Sequence, residues 1–227
     1  MQKLLVKLFI KNYKDYQDPK VRHAYGTLSG FVGIFTNLFL SGFKIITGIL
    51  IGSVAITADG LNNLSDVSTS IITLIGFKIS SLPADKNHPY GHQRLEYVTG
   101  LVISFIIFLV GGILLKSSIE KIITPSELII ENFTLIMLSA AILLKFWQSS
   151  FYRKNGKLIN SKTLITTSVD SRNDYLQTSA VLVSCLIYRY WGLNLDGYIG
   201  ILVSIMIIIS GIGLIKDTTS LLIGEAP

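Results

Sequence analysis

The sequence predicts an all-α membrane protein of six transmembrane helices. Three observations lead there. Half of the residues are hydrophobic and only 15% are charged, too apolar a balance for an ordinary soluble domain. The apolar residues come in long runs, six of which can each cross a core of about 30 Å at about 1.5 Å per residue. Two of those runs also hold pairs of oxygen-bearing side chains four residues apart, a spacing that places both members on one helix face.

The first 26 residues read as a cytoplasmic segment ahead of a membrane domain over 27–223. Lys3, Lys7, Lys11 and Lys14 recur at helical spacing with Leu4, Leu5, Leu8 and Phe9 between them. That suits a helix lying on the membrane surface; a basic tail is the alternative. Pro19 closes the segment. Lys7 interrupts the short apolar stretch and no small-residue cleavage site follows, so it does not read as a signal peptide.

The apolar runs fall near Thr27–Leu50, Ser53–Ser80, Leu95–Lys116, Ile129–Phe151, Leu164–Arg189 and Tyr198–Leu222. Gly52–Ser53 leaves so little chain between the first two that they must form an antiparallel hairpin. Lys44, in the outer part of the first run, is expected to snorkel to the interface. The second and fifth runs are longer than a crossing needs and carry the intramembrane polar groups.

Orientation follows from the short loops. One side collects Lys3, Lys7, Lys11, Lys14, Lys20, Arg22, Lys78, Lys86, Arg94, Arg153, Lys154, Lys157 and Lys162. The other has Lys116, Lys121 and Arg189. Both termini and the loop after the second run are therefore expected in the cytoplasm, in a cell membrane. Tyr188, Tyr190 and Trp191 suit the outer boundary. The basic residues gather at the ends of apolar runs and form no single patch, which argues against nucleic acid as a partner. Cys185 is the lone cysteine, so an intramolecular disulfide and a cysteine-based metal site are excluded.

Asp59, Asn62 and Asp66 share a face of the second helix; Asn63 points elsewhere, as a packing amide. Asp170 and Asp174 share a face of the fifth, with Arg172 turned away from it. Antiparallel helices bring Asn62, Asp66, Asp170 and Asp174 to similar depth, as four oxygen ligands. Helix-to-helix hydrogen bonding is the plainer alternative. Three buried carboxylates without a cation would repel strongly, however. An all-oxygen set suits Mn²⁺ or Mg²⁺ and tolerates Fe²⁺, whereas zinc sites normally include imidazole or thiolate. No histidine lies inside an apolar run. Clustered, poorly solvated carboxylates hold protons when metal-free, and metal arrival would expel them, which gives an exchange cycle. The loop carrying Asp85, His88 and His92 reads equally as a second metal site or as a solvated loop. His23 reads as an interfacial residue.

Three stretches, SVAITADGLNNLSD, PADKNHPYGHQRLEY and SVDSRND, closely resemble the cation diffusion facilitator family. The resemblance runs from about Pro19 onward, and the loop pattern PAD-x-x-HPYGH-x-R-x-E is its most specific part. It implies a transporter, not an enzyme. Such a protein is a homodimer in the lipid bilayer that exports divalent metal from the cytoplasm in exchange for protons by alternating access. It maps the transport site to Asn62, Asp66, Asp170 and Asp174, and a cytoplasmic loop site to Asp85, His88 and His92. Zinc members usually carry His in the helix pairs. Asn62 and Asp170 instead resemble the manganese-type branch, with Fe²⁺ or Zn²⁺/Cd²⁺ as alternatives. An ion-binding structural or channel-like protein is the alternative outside the family. Members usually continue into a small cytoplasmic α/β domain, which would begin where this chain ends, at Glu225–Pro227.

Overall fold

The computed structural model describes residues 18–80 and 94–223, with positions 6, 9, 10 and 13 of the N-terminal segment. Among them are six helices: α1 (Pro19–Ile51), α2 (Val54–Ser80), α3 (Arg94–Ile123), α4 (Asn132–Leu158), α5 (Lys162–Trp191) and α6 (Asp196–Ile223). By length and composition, four stretches are apolar enough to cross a membrane: Ala24–Ile51, Leu101–Ile123, Asn132–Leu158 and Asp196–Ser220. They lie in α1, α3, α4 and α6. The other two helices, α2 and α5, carry Asp59, Asn62, Asp66, Asp170 and Asp174.

The helices outrun the apolar stretches because backbone hydrogen bonding does not stop where hydrocarbon does. Thus α1 opens at Pro19, not at Thr27. Proline suits the first helical position, where an N–H would have no helical partner. The N-terminal segment does not simply lie on the bilayer or trail as a tail at its described positions. Val6 and Ile10 are buried against Val21 and Tyr25 of α1, Phe151 and Tyr152 of α4, and Leu164 of α5. The Tyr25 hydroxyl donates to the Tyr13 carbonyl at 2.9 Å.

Between α1 and α2 the chain turns within Gly52–Ser53, as their closeness in sequence requires. Gly52 has φ +72°, a left-handed conformation that glycine adopts without strain. At this hairpin α2 is capped from another helix. Asp196, the first residue of α6, accepts from Val54 N–H at 2.8 Å, from Ala55 N–H at 3.3 Å and from the Ser53 hydroxyl. A buried carboxylate thus satisfies N–H groups that the helix start leaves without partners. Asp196→Ala is expected to lower stability by about 2 kcal/mol or more, measured as thermal unfolding in detergent. An unchanged midpoint would show that the cap is idle.

The middle of the bundle is α2. Its Ala55 and Ile56 pack against Leu138 of α4 and against Val181 and Cys185 of α5. Its Ala58 packs against Ile107 and Leu114 of α3 and against Val203 and Ile207 of α6. Helices α3 and α6 meet along a close seam. A Cβ on Gly111 would stand 2.8 Å from Ile208 Cγ1, and one on Gly211 would stand 3.0 Å from the Phe108 nitrogen. Helices α4 and α5 form another close pair, and that pair touches α1, α2 and α6 only sparingly. Outward-facing side chains such as Phe35, Leu50, Leu109, Ile136, Leu143 and Ile209 are exposed. So continuous an apolar surface belongs in lipid.

Candidate cation site

The polar residues of α2 and α5 meet at the centre of the bundle, and two lysines meet them there. Asn62 Nδ2 donates to Asp174 Oδ1 at 3.1 Å. The other oxygen of Asp174 receives Lys145 Nζ of α4 at 2.5 Å. Lys145 Nζ also donates to Asn37 Oδ1 of α1 at 2.5 Å and lies 3.8 Å from Asp66 Oδ2. Four helices therefore converge on one ammonium. Nearer the α1–α2 hairpin is a second charged group. Lys44 Nζ of α1 pairs with Asp59 Oδ2 at 2.8 Å, with both side chains wholly buried. Lys44 also donates to the Thr178 hydroxyl at 2.9 Å. Thr178 in turn donates to the Asp174 carbonyl at 3.0 Å. Gln177 Nε2 donates to Asp59 Oδ1 at 3.4 Å. The two layers thus form one continuous network.

The expectation that Lys44 snorkels to the interface is wrong. Its ammonium turns inward because Asp59 and Thr178 offer it a charge partner and an acceptor, and an ammonium in a protein interior needs both.

Of the four candidate transport ligands, Asn62, Asp66 and Asp174 come together around Lys145. Asp170 lies one turn away on α5, toward Lys162, and is exposed. The Asp66 side chain is 37% exposed and that of Asp174 is 10% exposed. With Asp59 at zero, the carboxylates grade from accessible to sealed toward the hairpin. Among the described residues no three His, Cys, Asp or Glu side chains gather closely enough to hold a metal ion. The candidate loop ligands Asp85, His88 and His92 lie outside the described residues. Asn63 is fully buried, and its Nδ2 bonds to the Asp59 carbonyl one turn back at 3.1 Å. Arg172 is exposed.

Sequence reasoning missed Lys145, Asn37, Gln148 and Gln177. A signal for two of them was present. Lys145, Gln148 and Tyr152 stand at offsets of three and seven along α4, the spacing that Asp59, Asn62 and Asp66 have along α2. Gln148 Nε2 donates to the Tyr152 hydroxyl at 3.0 Å, deep in the bundle.

Chemically, the arrangement provides carboxylate and amide oxygens from two helices, with a positive charge already among them. It can hold a cation.

Comparison with known proteins agrees. The pattern of the cation efflux transmembrane domain matches residues 30–223. An uncharacterized transporter of Methanocaldococcus jannaschii is 32% identical over 196 residues, 86% of this chain and 69% of its own. The manganese efflux system protein MneS of Bacillus subtilis is 34% identical over 149 residues, 66% of this chain and 51% of its own. The magnetosome protein MamB of Magnetospirillum gryphiswaldense is 28% identical over 144 residues, 63% of this chain and 48% of its own. This chain thus spans about half the length of the last two. With its six described helices, its central carboxylates and a match over nearly all of its length, the chain belongs to the cation efflux family, as a multi-pass membrane transporter domain and not an enzyme.

Proposed function

We propose that this domain exports a divalent metal cation from the cytoplasm in exchange for protons by alternating access, with Mn²⁺ as the main cargo. The observation that carries the reading is the convergence of Asp66 and Asp174, from different helices, on one point that already holds a positive charge. Asn62, Asp66, Asp170 and Asp174 are the proposed transport ligands. In this reading Asp170, exposed and one turn from Asp174, receives the ion first and passes it on. The oxygen-only donor set supports Mn²⁺ over Zn²⁺, and the name of the Bacillus relative agrees with it. Fe²⁺, and Zn²⁺ or Cd²⁺, remain the alternatives. Asp85, His88 and His92 are proposed as a second, cytoplasmic metal site. Cytoplasmic termini, a cell-membrane location and a homodimer complete the proposal. The competing reading is a static polar network that only binds helices together; the complete burial of Lys145 favours it.

The test is uptake into inverted vesicles with Mn²⁺, Fe²⁺, Zn²⁺ and Cd²⁺ in parallel, with and without a proton gradient. Gradient-dependent Mn²⁺ uptake is expected, and none for any metal would leave the static network. In the same assay Asn62→His is expected to raise the Zn²⁺/Mn²⁺ ratio about tenfold, equivalent to about 1.4 kcal/mol. Imidazole is a softer neutral donor than an amide oxygen and suits tetrahedral zinc. An unchanged ratio would mean that residue 62 does not touch the ion.

A further inference from the structure

Asp174, a proposed metal ligand, already has both oxygens engaged, by Asn62 and by Lys145, and Asp66 lies within ion-pair distance of the same ammonium. Lys145 Nζ is 2.5 Å from Asp174 Oδ2 and 3.8 Å from Asp66 Oδ2. An arriving divalent ion needs those same lone pairs, and it cannot share them with an ammonium at van der Waals distance. Nor can Lys145 leave for water, because it is fully buried. A displaced ammonium must find new acceptors inside the bundle, since an unpaired buried charge is strongly unfavourable.

Two acceptors are candidates, one on α1 and one on α4 itself. Asn37 Oδ1 already takes a hydrogen bond from Lys145 at 2.5 Å. Gln148 lies three residues further along α4, so its side chain neighbours that of Lys145. Its Nε2 is committed to the Tyr152 hydroxyl at 3.0 Å, while its Oε1 is buried with no hydrogen-bond partner among the described residues. A buried acceptor without a donor is rare in a folded protein, and this one belongs to a side chain one helical turn from Lys145. A four-carbon stem lets that ammonium move between neighbouring acceptors without backbone motion.

We propose that Lys145 is a tethered counter-cation that competes with the transported ion for Asp66 and Asp174, and that Asn37 and Gln148 hold its ammonium while the ion is bound. The inference rests on the reading of Asp66 and Asp174 as transport ligands and adds a residue that sets how tightly they hold cargo. With no cargo, Lys145 screens two carboxylates that would otherwise repel. With cargo bound, it waits nearby as a positive charge, and its return weakens the grip on the departing ion. A transporter needs such weakening, because a site of bare carboxylates would bind well and release slowly.

The test is Mn²⁺ binding to the purified chain in lipid nanodiscs, with free ion followed by electron paramagnetic resonance. Lys145→Gln removes the competitor and is expected to tighten Mn²⁺ binding about tenfold while slowing its release into excess chelator. Asn37→Val combined with Gln148→Leu removes the alternative acceptors and leaves every charge in place. It is expected to weaken binding severalfold. The opposite signs decide the matter, since a merely structural lysine would give unchanged or weakened binding in both variants, and that result would overturn the inference. Should Lys145→Gln fail to fold, unchanged affinity in the Asn37→Val/Gln148→Leu variant overturns it equally. Wild-type protein that binds none of Mn²⁺, Fe²⁺, Zn²⁺ and Cd²⁺ would instead overturn the proposed function, and this inference with it.

Discussion

Asp174→Ala is expected to abolish metal transport, by at least about 100-fold at subsaturating metal, which corresponds to roughly 2.7 kcal/mol of lost interaction. Asp174 is the point where the site is tied together, through Asn62 on one oxygen and Lys145 on the other. Its removal takes away a charged ligand and frees Asn62 to turn. The fold should survive, because Lys145 keeps Asn37 and Asp66 as partners, and loss of a carboxylate from an apolar bundle does not oppose insertion. Transport in proteoliposomes measures the first effect, and size-exclusion behaviour in detergent measures the second. Near-normal transport by a well-folded Asp174→Ala protein would remove the central site from consideration.

Lys44→Met should show the largest loss of stability. Lys44 and Asp59 are both fully buried and 2.8 Å apart. Taking away the lysine leaves a carboxylate without its counter-charge in the interior, a change that costs about 3–5 kcal/mol in comparable pairs. Adding Asp59→Leu should recover much of that loss, since a buried pair replaced by apolar side chains of similar volume is often close to neutral. Thermal unfolding of the wild type, the single variant and the double variant measures both steps. A single variant within about 1 kcal/mol of wild type would mean that Asp59 has another way to be compensated. The double variant also separates the two polar layers. Retained transport would place Asp59 outside the metal site, while loss of transport with stability recovered would bring it in.

Much of this was legible in the sequence, and the remainder was hidden for a physical reason. Run length and the Gly52–Ser53 connection sufficed for six helices and for the hairpin. The four-residue spacing in α2 and α5 singled out Asn62, Asp66, Asp170 and Asp174, because polar groups in hydrocarbon are costly and seldom occur without a partner or an ion to hold; the structure brings the first, second and fourth of them together. Lys44 and Lys145 escaped because a lone lysine in an apolar run is ordinarily a snorkelling residue. Whether it turns inward depends on what faces it from another helix, and one-dimensional spacing does not contain that. The position of Asp170 was hidden likewise. It shares a face with Asp174, but depth along α5 separates an exposed carboxylate from a buried one. Asp196 was missed altogether, since at the start of α6 it looks like an ordinary first-turn acid, although its bonds go to α2.

The sparse contact between the α4–α5 pair and the other four helices has a mechanical consequence. Where α3 meets α6, apolar surface and closely approached glycines hold the joint. Where α4–α5 meets the rest, much of the fastening is polar. It runs through Lys145 to Asn37, Asp174 to Asn62, Lys44 to Thr178 and Gln177 to Asp59. A joint made of charges can be rewired by a charge. The side chains that would grip a cation also fasten the α4–α5 pair to its neighbours, so loading them would alter those fastenings directly, with no separate lever to carry the signal.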